Sequence, residues 1–111
     1  MSLYQEYFKE RRGHMGGIVE NDKGFITYVV FEDTKECMIQ DLYIRPQHRC
    51  LGTSREFEAE VIKAVKDKCN KLTATVDLFA DSPERNTRLM IKAGFKLYSA
   101  NNNVISFIKE I

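Results

Sequence analysis

The segment at residues 45–54, RPQHRCLGTS, constrains the fold more than any other part of the sequence. It follows an apolar run at 37–44 that is typical of a β-strand, and it precedes a helical pattern at 53–70. A strand, a short loop with Gly52 and a helix N-terminus form an anion site, because free backbone N–H groups and the positive end of the helix dipole coincide there. The segment therefore predicts a phosphate-bearing ligand that is held mainly by the main chain.

Composition and charge exclude several classes of partner. The 111 residues fit a single domain, 1–111, and a net charge of +1 lacks the basic excess typical of nucleic-acid-binding domains. No apolar run approaches the ~20 residues of a membrane span, and no secretory signal is recognised. Three cysteines without C-x-x-C spacing indicate neither a disulfide framework nor a zinc site. We therefore expect a cytoplasmic protein without a metal that binds neither nucleic acid nor membrane.

The remaining patterns predict the element order α-β-β-β-α-β-α-β-β. The predicted elements are a helix at 3–11, strands at 15–20, 25–32 and 36–44, a helix at 52–70, a strand at 72–78, a helix at 83–92, and strands at 95–99 and 104–109. Three strands joined by short turns favour an antiparallel meander. A strand, a helix and a further strand favour a right-handed crossover with parallel pairing. We therefore expect an α/β (α+β) fold, a mixed sheet of about six strands that is antiparallel at both ends around a central parallel pair.

Local signals set the ends of two helices. Ser2 and Gln5 have capping-box spacing at the start of the first helix. The tripeptide at 82–84 combines a serine cap, a proline at the first helical position and an acid in the first turn. Gly94 is predicted to end that helix in the left-handed conformation, with Phe95 as its hydrophobic contact.

Apolar periodicity assigns the buried faces of three elements. On the helix at 52–70 the predicted buried face comprises Phe57, Val61, Ala64, Val65 and Cys69. On the strand at 72–78 it comprises Leu72, Ala74, Val76 and Leu78. Strict alternation along the strand at 36–44 places Asp41 on the same face as Cys37, Ile39 and Tyr43.

Three short motifs resemble the GNAT superfamily of N-acetyltransferases. The family's [Arg/Gln]-x-x-Gly-x-[Gly/Ala] motif is similar to Arg49-Cys50-Leu51-Gly52-Thr53-Ser54, and its Leu-x-Val-x-Pro lead-in is similar to Leu42-Tyr-Ile-Arg-Pro46. Leu89-Met-Ile-Lys-Ala-Gly-Phe95 resembles the family's Leu-Tyr-x-Lys-x-Gly-Phe, one helix and one strand later. The resemblance covers residues 17–109 and implies a GNAT-like sheet in which the two central parallel strands splay apart.

The resemblance also implies a cofactor and a reaction. Acetyl-CoA would bind where the central strands splay, and its acyl group would pass directly to a primary amine. Main-chain groups of Leu42 and Ile44 would hold the pantetheine arm like an added strand, and Arg49 would stand at the start of the pyrophosphate loop. The implied pyrophosphate ligands are the amides of Cys50, Leu51, Gly52, Thr53 and Ser54. The acceptor would be a small-molecule or peptide amine.

The sequence departs from the family pattern at several positions. Ser54 replaces the final glycine or alanine of the motif. Cys50 stands where many members have glycine, and we expect a negative φ there because a side chain disfavours positive φ. Met90 occupies the position of a tyrosine that commonly protonates the thiolate. Pro83 occupies that of an asparagine that touches the pantetheine amide, a role that Asn86 could take one turn later. The family's first strand and one early helix are absent, so we favour a homodimer that completes the substrate wall over a monomer with an open cleft.

Two carboxylates are candidate general bases. Glu36 falls where the histone-acetylating branch of the family has its glutamate, and its alternative role is that of a solvent-exposed acid at a turn. Asp41 is unfavourable in the middle of a strand, so it either binds or deprotonates the amine or pairs with a neighbouring strand. Asp77, on the adjacent central strand, has the same two interpretations.

Other side chains have weaker claims. Tyr43 and Tyr98 are candidate proton donors, with packing as the alternative. Cys50 could form a covalent acyl-enzyme. The alternative is that it is a loop residue whose thiol has no role. His48 is expected to contact phosphate or solvent.

Two hypotheses compete with an N-acetyltransferase. One is a non-catalytic acyl-CoA-binding or regulatory module of the same fold, which Met90 and Pro83 motivate. The other is an α/β interaction domain whose arginine-rich loop binds a different phosphate.

Overall fold

The structure is a computed structural model that describes residues 3–79 and 81–111. Its elements are α1 (Leu3–Arg12), β1 (Met15–Asn21), β2 (Gly24–Phe31), β3 (Glu36–Ile44), a 3-10 turn (Pro46–His48), α2 (Thr53–Val65), β4 (Lys71–Asp77), α3 (Pro83–Lys92), β5 (Lys96–Asn101) and β6 (Val104–Glu110). This confirms the predicted order. The capping box predicted for α1 begins at Ser2, which lies outside the described residues.

The six strands form one mixed sheet in the order β1-β2-β3-β4-β6-β5. The first three strands are an antiparallel meander, β3 and β4 are parallel, and β4, β6 and β5 are antiparallel neighbours. The predicted architecture, antiparallel at both ends around a parallel pair, is confirmed. The last hairpin folds back so that β6 lies between β4 and β5, which leaves β5 at the edge.

The two parallel strands pair only at their first residues. The register joins Glu36 to Lys71, Cys37 to Leu72 and Met38 to Thr73, and the pairing ends there. Residues 39–44 of β3 and 74–77 of β4 then diverge. The sheet therefore contains a gap that opens towards the C-terminal ends of both strands, which confirms the expected splay.

A β-bulge in β3 lies where the gap begins. Tyr28 of β2 pairs with Ile39, but Thr27 pairs with Asp41, so Gln40 is an extra residue on β3. Because side chains alternate between faces, one extra residue reverses the side on which all later residues lie. The prediction that Asp41 shares a face with Cys37 and Ile39 was therefore wrong. It lies on the opposite face, together with Tyr43.

The main core lies between the sheet and helix α2. Residues of this core side include Ile26, Tyr28, Val30, Cys37, Leu72, Ala74, Val76 and Phe107, which pack with Phe57, Val61 and Val65 of α2. Met90 of α3 and Ala93, the C-cap residue that follows this helix, pack against the same cluster. The core side of the sheet is therefore covered by both α2 and α3.

Two details of the predicted core were wrong. Helix α2 ends at Val65 and not at residue 70, and the amides of Lys68 and Cys69 in the turn that follows both donate to the Val65 carbonyl. Cys69 is still buried, but Ala64 is exposed. Leu78 follows β4 and does not belong to it, and its side chain is 44% exposed.

The two ends of α3 differ in how well they match the prediction. Ser82 is the N-cap residue, but it has a φ of 52° and its side chain makes no capping hydrogen bond. At the other end Gly94 has a φ of 95°, and the Phe95 amide donates to the Met90 carbonyl. Phe95 is buried, so the predicted left-handed cap and its hydrophobic contact are confirmed.

Helix α1 packs on the other face of the sheet, here called the open side. A Cβ at Gly16 would come within 2.8 Å of the Phe8 ring, so glycine allows the helix to approach β1 closely. Gly16 pairs with Val29, which lies opposite to Tyr28 on β2. No other helix of residues 3–79 and 81–111 packs on this face, and the open side is therefore uncovered from β3 to β5.

Candidate functional site

The loop before α2 turns through two left-handed residues. Cys50 has a φ of 62° and Gly52 a φ of 80°. The expectation of a negative φ at Cys50 was therefore wrong, and this conformation costs a non-glycine residue about 1–2 kcal/mol. Such strain is concentrated at functional sites, where the surroundings hold it in place.

The left-handed turns leave a row of main-chain donors free. Within residues 3–79 and 81–111, the amides of Cys50, Leu51, Gly52, Thr53 and Ser54 donate to no backbone carbonyl. The first intrahelical bonds come from Arg55 and Glu56 to the Gly52 carbonyl. A Cβ built on Gly52 would meet no atom within 4 Å. The space beside Gly52, at the positive end of α2, is therefore open, and these five amides adjoin it in the chain.

Thr53 fixes the loop through its side chain. Its hydroxyl donates to the His48 carbonyl at 2.9 Å, and Thr53 is buried. The His48 amide in turn donates to the Arg45 carbonyl at 2.9 Å. The sequence predicted a role only for the amide of Thr53. The hydroxyl of Thr53, directly after Gly52, was the signal that could have revealed its role in holding the loop.

The edge of β3 that faces the gap carries main-chain groups of Leu42 and Ile44. The Asp41 and Arg45 amides both point towards β2, since they donate to the Thr27 hydroxyl and to the Lys23 carbonyl. Successive residues of a strand direct their N–H and C=O groups to alternate edges. The main-chain groups of Leu42 and Ile44 therefore point into the gap.

Both candidate bases lie on the open side. Glu36 pairs with Phe31, and its carboxylate accepts a hydrogen bond from the Thr73 hydroxyl at 3.0 Å, at the closed end of the gap. Asp41 follows the bulge and has an exposed side chain. They are five positions apart in the chain, so an unbroken strand would have placed them on opposite faces. The bulge brings them to the same face.

The buried hydroxyl of Thr27 stabilises the bulge. It accepts the Asp41 amide at 3.1 Å, in place of a main-chain acceptor at the position where the ladder is interrupted. Sequence reasoning missed this residue. A threonine between Ile26 and Tyr28 fits any strand, so no local signal could have revealed it.

Comparison with solved structures finds the same arrangement of strands and helices. The PaiA N-acetyltransferase from Thermoplasma acidophilum, in complex with coenzyme A, has a TM-score of 0.76 at 16% identity, over 98% of this chain and 69% of that chain. A protein assigned to the GNAT-family acetyltransferases from Desulfovibrio desulfuricans has a TM-score of 0.72 at 18% identity, over 95% and 75%. The values for an IAA acetyltransferase from Bacillus cereus are 0.68 and 14%, over 99% and 85%.

The chain has the GNAT fold. At these identities the likeness concerns the fold alone. A scan of protein-family models and a search of curated proteins find no match.

Within the GNAT fold, the start of α3 lies beyond the end of β4. Asn86 is half-buried there and donates from its side chain to the Asp81 carbonyl at 3.4 Å, so it is engaged with its own loop. Met90 packs against the core cluster. A side chain at that position is turned towards the core, and methionine there contributes to packing.

The two candidate tyrosines lie in different places. The ring of Tyr43 is at the gap on the open side, with its centroid 6.0 Å from that of Phe25. Tyr98 interrupts the pairing of edge strand β5 with β6, which puts it two strands beyond β4. Only Tyr43 adjoins the gap.

The cysteine thiols and the His48 imidazole lie in two places, the buried core and the loop before α2. Burial raises the pKa of the Cys37 thiol to about 12, with further contributions from Cys69 and Glu36, so this thiol stays protonated at neutral pH. Cys50 is exposed in the loop. His48 is half-buried in the same loop.

Residues 3–79 and 81–111 contain no group of three or more His, Cys, Asp or Glu side chains that could hold a metal ion. None of the helices in this part of the chain is long and apolar enough to cross a membrane.

Proposed function

We propose that the protein is an N-acetyltransferase that transfers an acetyl group from acetyl-CoA to a primary amine. The observation that carries this proposal is the row of five free amides at residues 50–54, next to a gap whose β3 edge offers further main-chain groups. A pyrophosphate fits the amides, and an extended pantetheine arm fits the edge like an added strand. One protein of similar fold was crystallised with coenzyme A.

The reaction is a direct displacement at the thioester. The acceptor ammonium first loses a proton to a base, and the neutral amine attacks the carbonyl carbon. A C–N bond forms, the carbonyl oxygen becomes an oxyanion, and the nitrogen, now positively charged, loses a second proton as the C–S bond breaks. The departing thiolate takes a proton, so the products are an amide and free CoA.

Asp41 is the proposed general base. Its carboxylate is exposed on the open side at the point where β3 and β4 separate, whereas the Glu36 carboxylate is already bonded by Thr73 at the closed end. The amide of Leu42, next in the chain, points into the gap and is the proposed donor to the oxyanion. Tyr43 is the proposed source of the thiolate's proton.

The acceptor is proposed to approach from the open side. A small-molecule or peptide amine could reach Asp41 there, because no helix of the described residues covers β3 or β4 on this face. A second copy of the chain could supply part of the substrate wall, and a cytoplasmic location would provide acetyl-CoA.

The second candidate is a non-catalytic acyl-CoA-binding module. It is favoured by Met90, which packs in the core where many proteins of this fold have a tyrosine. Both candidates require CoA binding, and only the first requires turnover.

Calorimetry with CoA and acetyl-CoA tests the cofactor, and thiol release with a panel of amines tests the enzyme. We expect binding of both ligands and release with at least one amine class. No binding at millimolar ligand would refute both candidates, whereas binding without release from any amine would favour the module.

Gly52→Val provides the matched test of the loop. Its Cβ would lie in the open space beside the amides, and a β-branched residue at a φ of 80° is strained. We expect CoA affinity to fall at least a hundredfold. Gly13→Val, at a φ of 70° and also without neighbours, applies similar strain away from the loop and should leave the affinity within about twofold.

A further inference from the structure

Arg49 directs its side chain towards the end of β3. Its Nε–H donates to the Ile44 carbonyl at 2.8 Å, and its guanidinium carbon lies 5.9 Å from the centroid of the Tyr43 ring. The side chain therefore connects the loop that precedes α2 with the last two residues of β3.

The carbonyl that Arg49 contacts lies on the gap edge of β3. The neighbouring main-chain groups point away from the gap, towards β2. The Arg45 amide donates to the Lys23 carbonyl, and the Tyr43 carbonyl lies against Gly24. Ile44 contributes its N–H to the same edge as its carbonyl. Arg49 therefore holds one residue of the edge that would bind pantetheine, while its own backbone begins the loop that would bind pyrophosphate.

We propose that Arg49 is a positioning residue that sets the distance between the pyrophosphate loop and the pantetheine edge of β3, through its Nε–H bond to Ile44. This inference rests on the proposed function. It differs from the simpler role of a phosphate ligand, in which the charge of the guanidinium would act directly on CoA. The two roles depend on different atoms of the same side chain, and they can be separated.

Two substitutions of Arg49 separate the effect of the Nε–H donor from the effect of the positive charge. Arg49→Gln places an amide nitrogen on the fourth side-chain atom, where Nε lies, and removes the charge. Arg49→Lys places a carbon at that atom and keeps the charge on a longer stem. Arg88→Lys, on the exposed surface of α3, is the control for the same chemical change elsewhere.

The dissociation constants of CoA, by calorimetry, and of pantetheine, by NMR titration, give the main readout. We expect Arg49→Lys to weaken both ligands about tenfold, because a hydrogen bond from a charged group is lost. Arg49→Gln and Arg88→Lys should stay within about threefold for both. Two outcomes would show that Arg49 is a phosphate ligand and overturn the inference. One is that Arg49→Lys weakens the binding of CoA but not of pantetheine. The other is that Arg49→Lys keeps its CoA affinity while Arg49→Gln loses it.

The ligand-free protein provides an independent readout. The Hε proton of Arg49 should exchange with solvent at least tenfold more slowly than that of Arg88, and the Arg45 amide shift should change in Arg49→Lys but not in Arg49→Gln. Equal exchange of the two Hε protons would refute the inference while leaving the proposed function intact. If the wild-type protein binds no CoA but Arg49 Hε is protected, the proposed function fails and Arg49 merely braces a loop.

Discussion

The two faces of the sheet have different tasks. On the core side, α2 and α3 cover β2, β3, β4 and β6, and the largest fully buried side chains lie there, among them Phe57 and Phe107. On the open side α1 is the only helix of residues 3–79 and 81–111 that packs, against β1, and polar groups such as Glu36 and Asp41 remain accessible. Stability is therefore concentrated on one face and the proposed chemistry on the other, and substitutions on the two faces should affect different properties.

Truncation of a phenylalanine on each face should give the largest difference. Phe57, on the core side, is 2% exposed, and Phe57→Ala should lower the free energy of unfolding by about 3–5 kcal/mol. Phe25, half-buried on the open side beside Tyr43, should cost about 1–2 kcal/mol in Phe25→Ala. Urea denaturation measures both, and equal losses would contradict the division between faces.

Carboxylate substitutions on the open side should affect turnover and leave stability nearly unchanged. Asp41→Asn should lower kcat/KM at least a hundredfold, about the contribution of a general base. Glu36→Gln should lower it less than tenfold, because its carboxylate already accepts the Thr73 hydroxyl. The thiol-release assay measures both variants, and a larger loss in Glu36→Gln would transfer the role of base to Glu36.

Two lysine–glutamate pairs should differ in the same way, with smaller losses of stability. On the core side, Lys109 Nζ donates to Glu58 at 2.6 Å and to the Ala93 carbonyl at 2.8 Å, and Lys109→Met should cost about 1–3 kcal/mol of stability because Glu58 stays largely buried. The more exposed pair of Lys23 and Glu56 is 3.3 Å apart. Lys23→Met should cost less than about 0.5 kcal/mol. Thermal unfolding in low and high salt checks the pairs, and comparable losses would mean that Lys109 is not part of the core.

The thiols should affect stability only at alkaline pH and leave it unchanged at neutral pH. Burial raises the pKa of Cys37 from 9.0 to about 12 and also raises that of Cys69, so both stay protonated in the folded chain while they ionise in the unfolded chain. Their contribution to stability is therefore complete below about pH 9 and is lost as the pH rises towards 12.

Alkylation at pH 8 checks the same assignment directly. Iodoacetamide should modify only the exposed Cys50 in the folded protein and all three thiols in urea. Rapid modification of Cys37 in the folded state would show that the core side opens.

Most of the fold could be predicted because its signals are local. The alternation of Leu72, Ala74 and Val76 indicates a strand with one buried face, and Gly94 followed by Phe95 indicates a helix end, and both predictions are confirmed. The end of α2 at Val65 could not be predicted, since the apolar helical pattern continues to Cys69, which is buried although it lies beyond the helix.

One part of the candidate site could be predicted from the sequence and another could not. The loop with Gly52 could be located from its motif, since glycine, basic residues and a helix start are adjacent in the chain. The side on which Asp41 lies could not be predicted, because it depends on how β3 pairs with Thr27 of another strand.

The sequence alone predicts the order of elements, the parallel crossover and the position of the glycine loop before α2, because each depends on residues close together in the chain. The tertiary structure decided the bulge at Gln40, the shared face of Glu36 and Asp41, and the contact of Arg49 with Ile44. These features depend on register and on loop geometry between separate segments. A bulge inserts one residue without changing the composition of a strand, and yet it reverses the side of the sheet on which every later side chain acts.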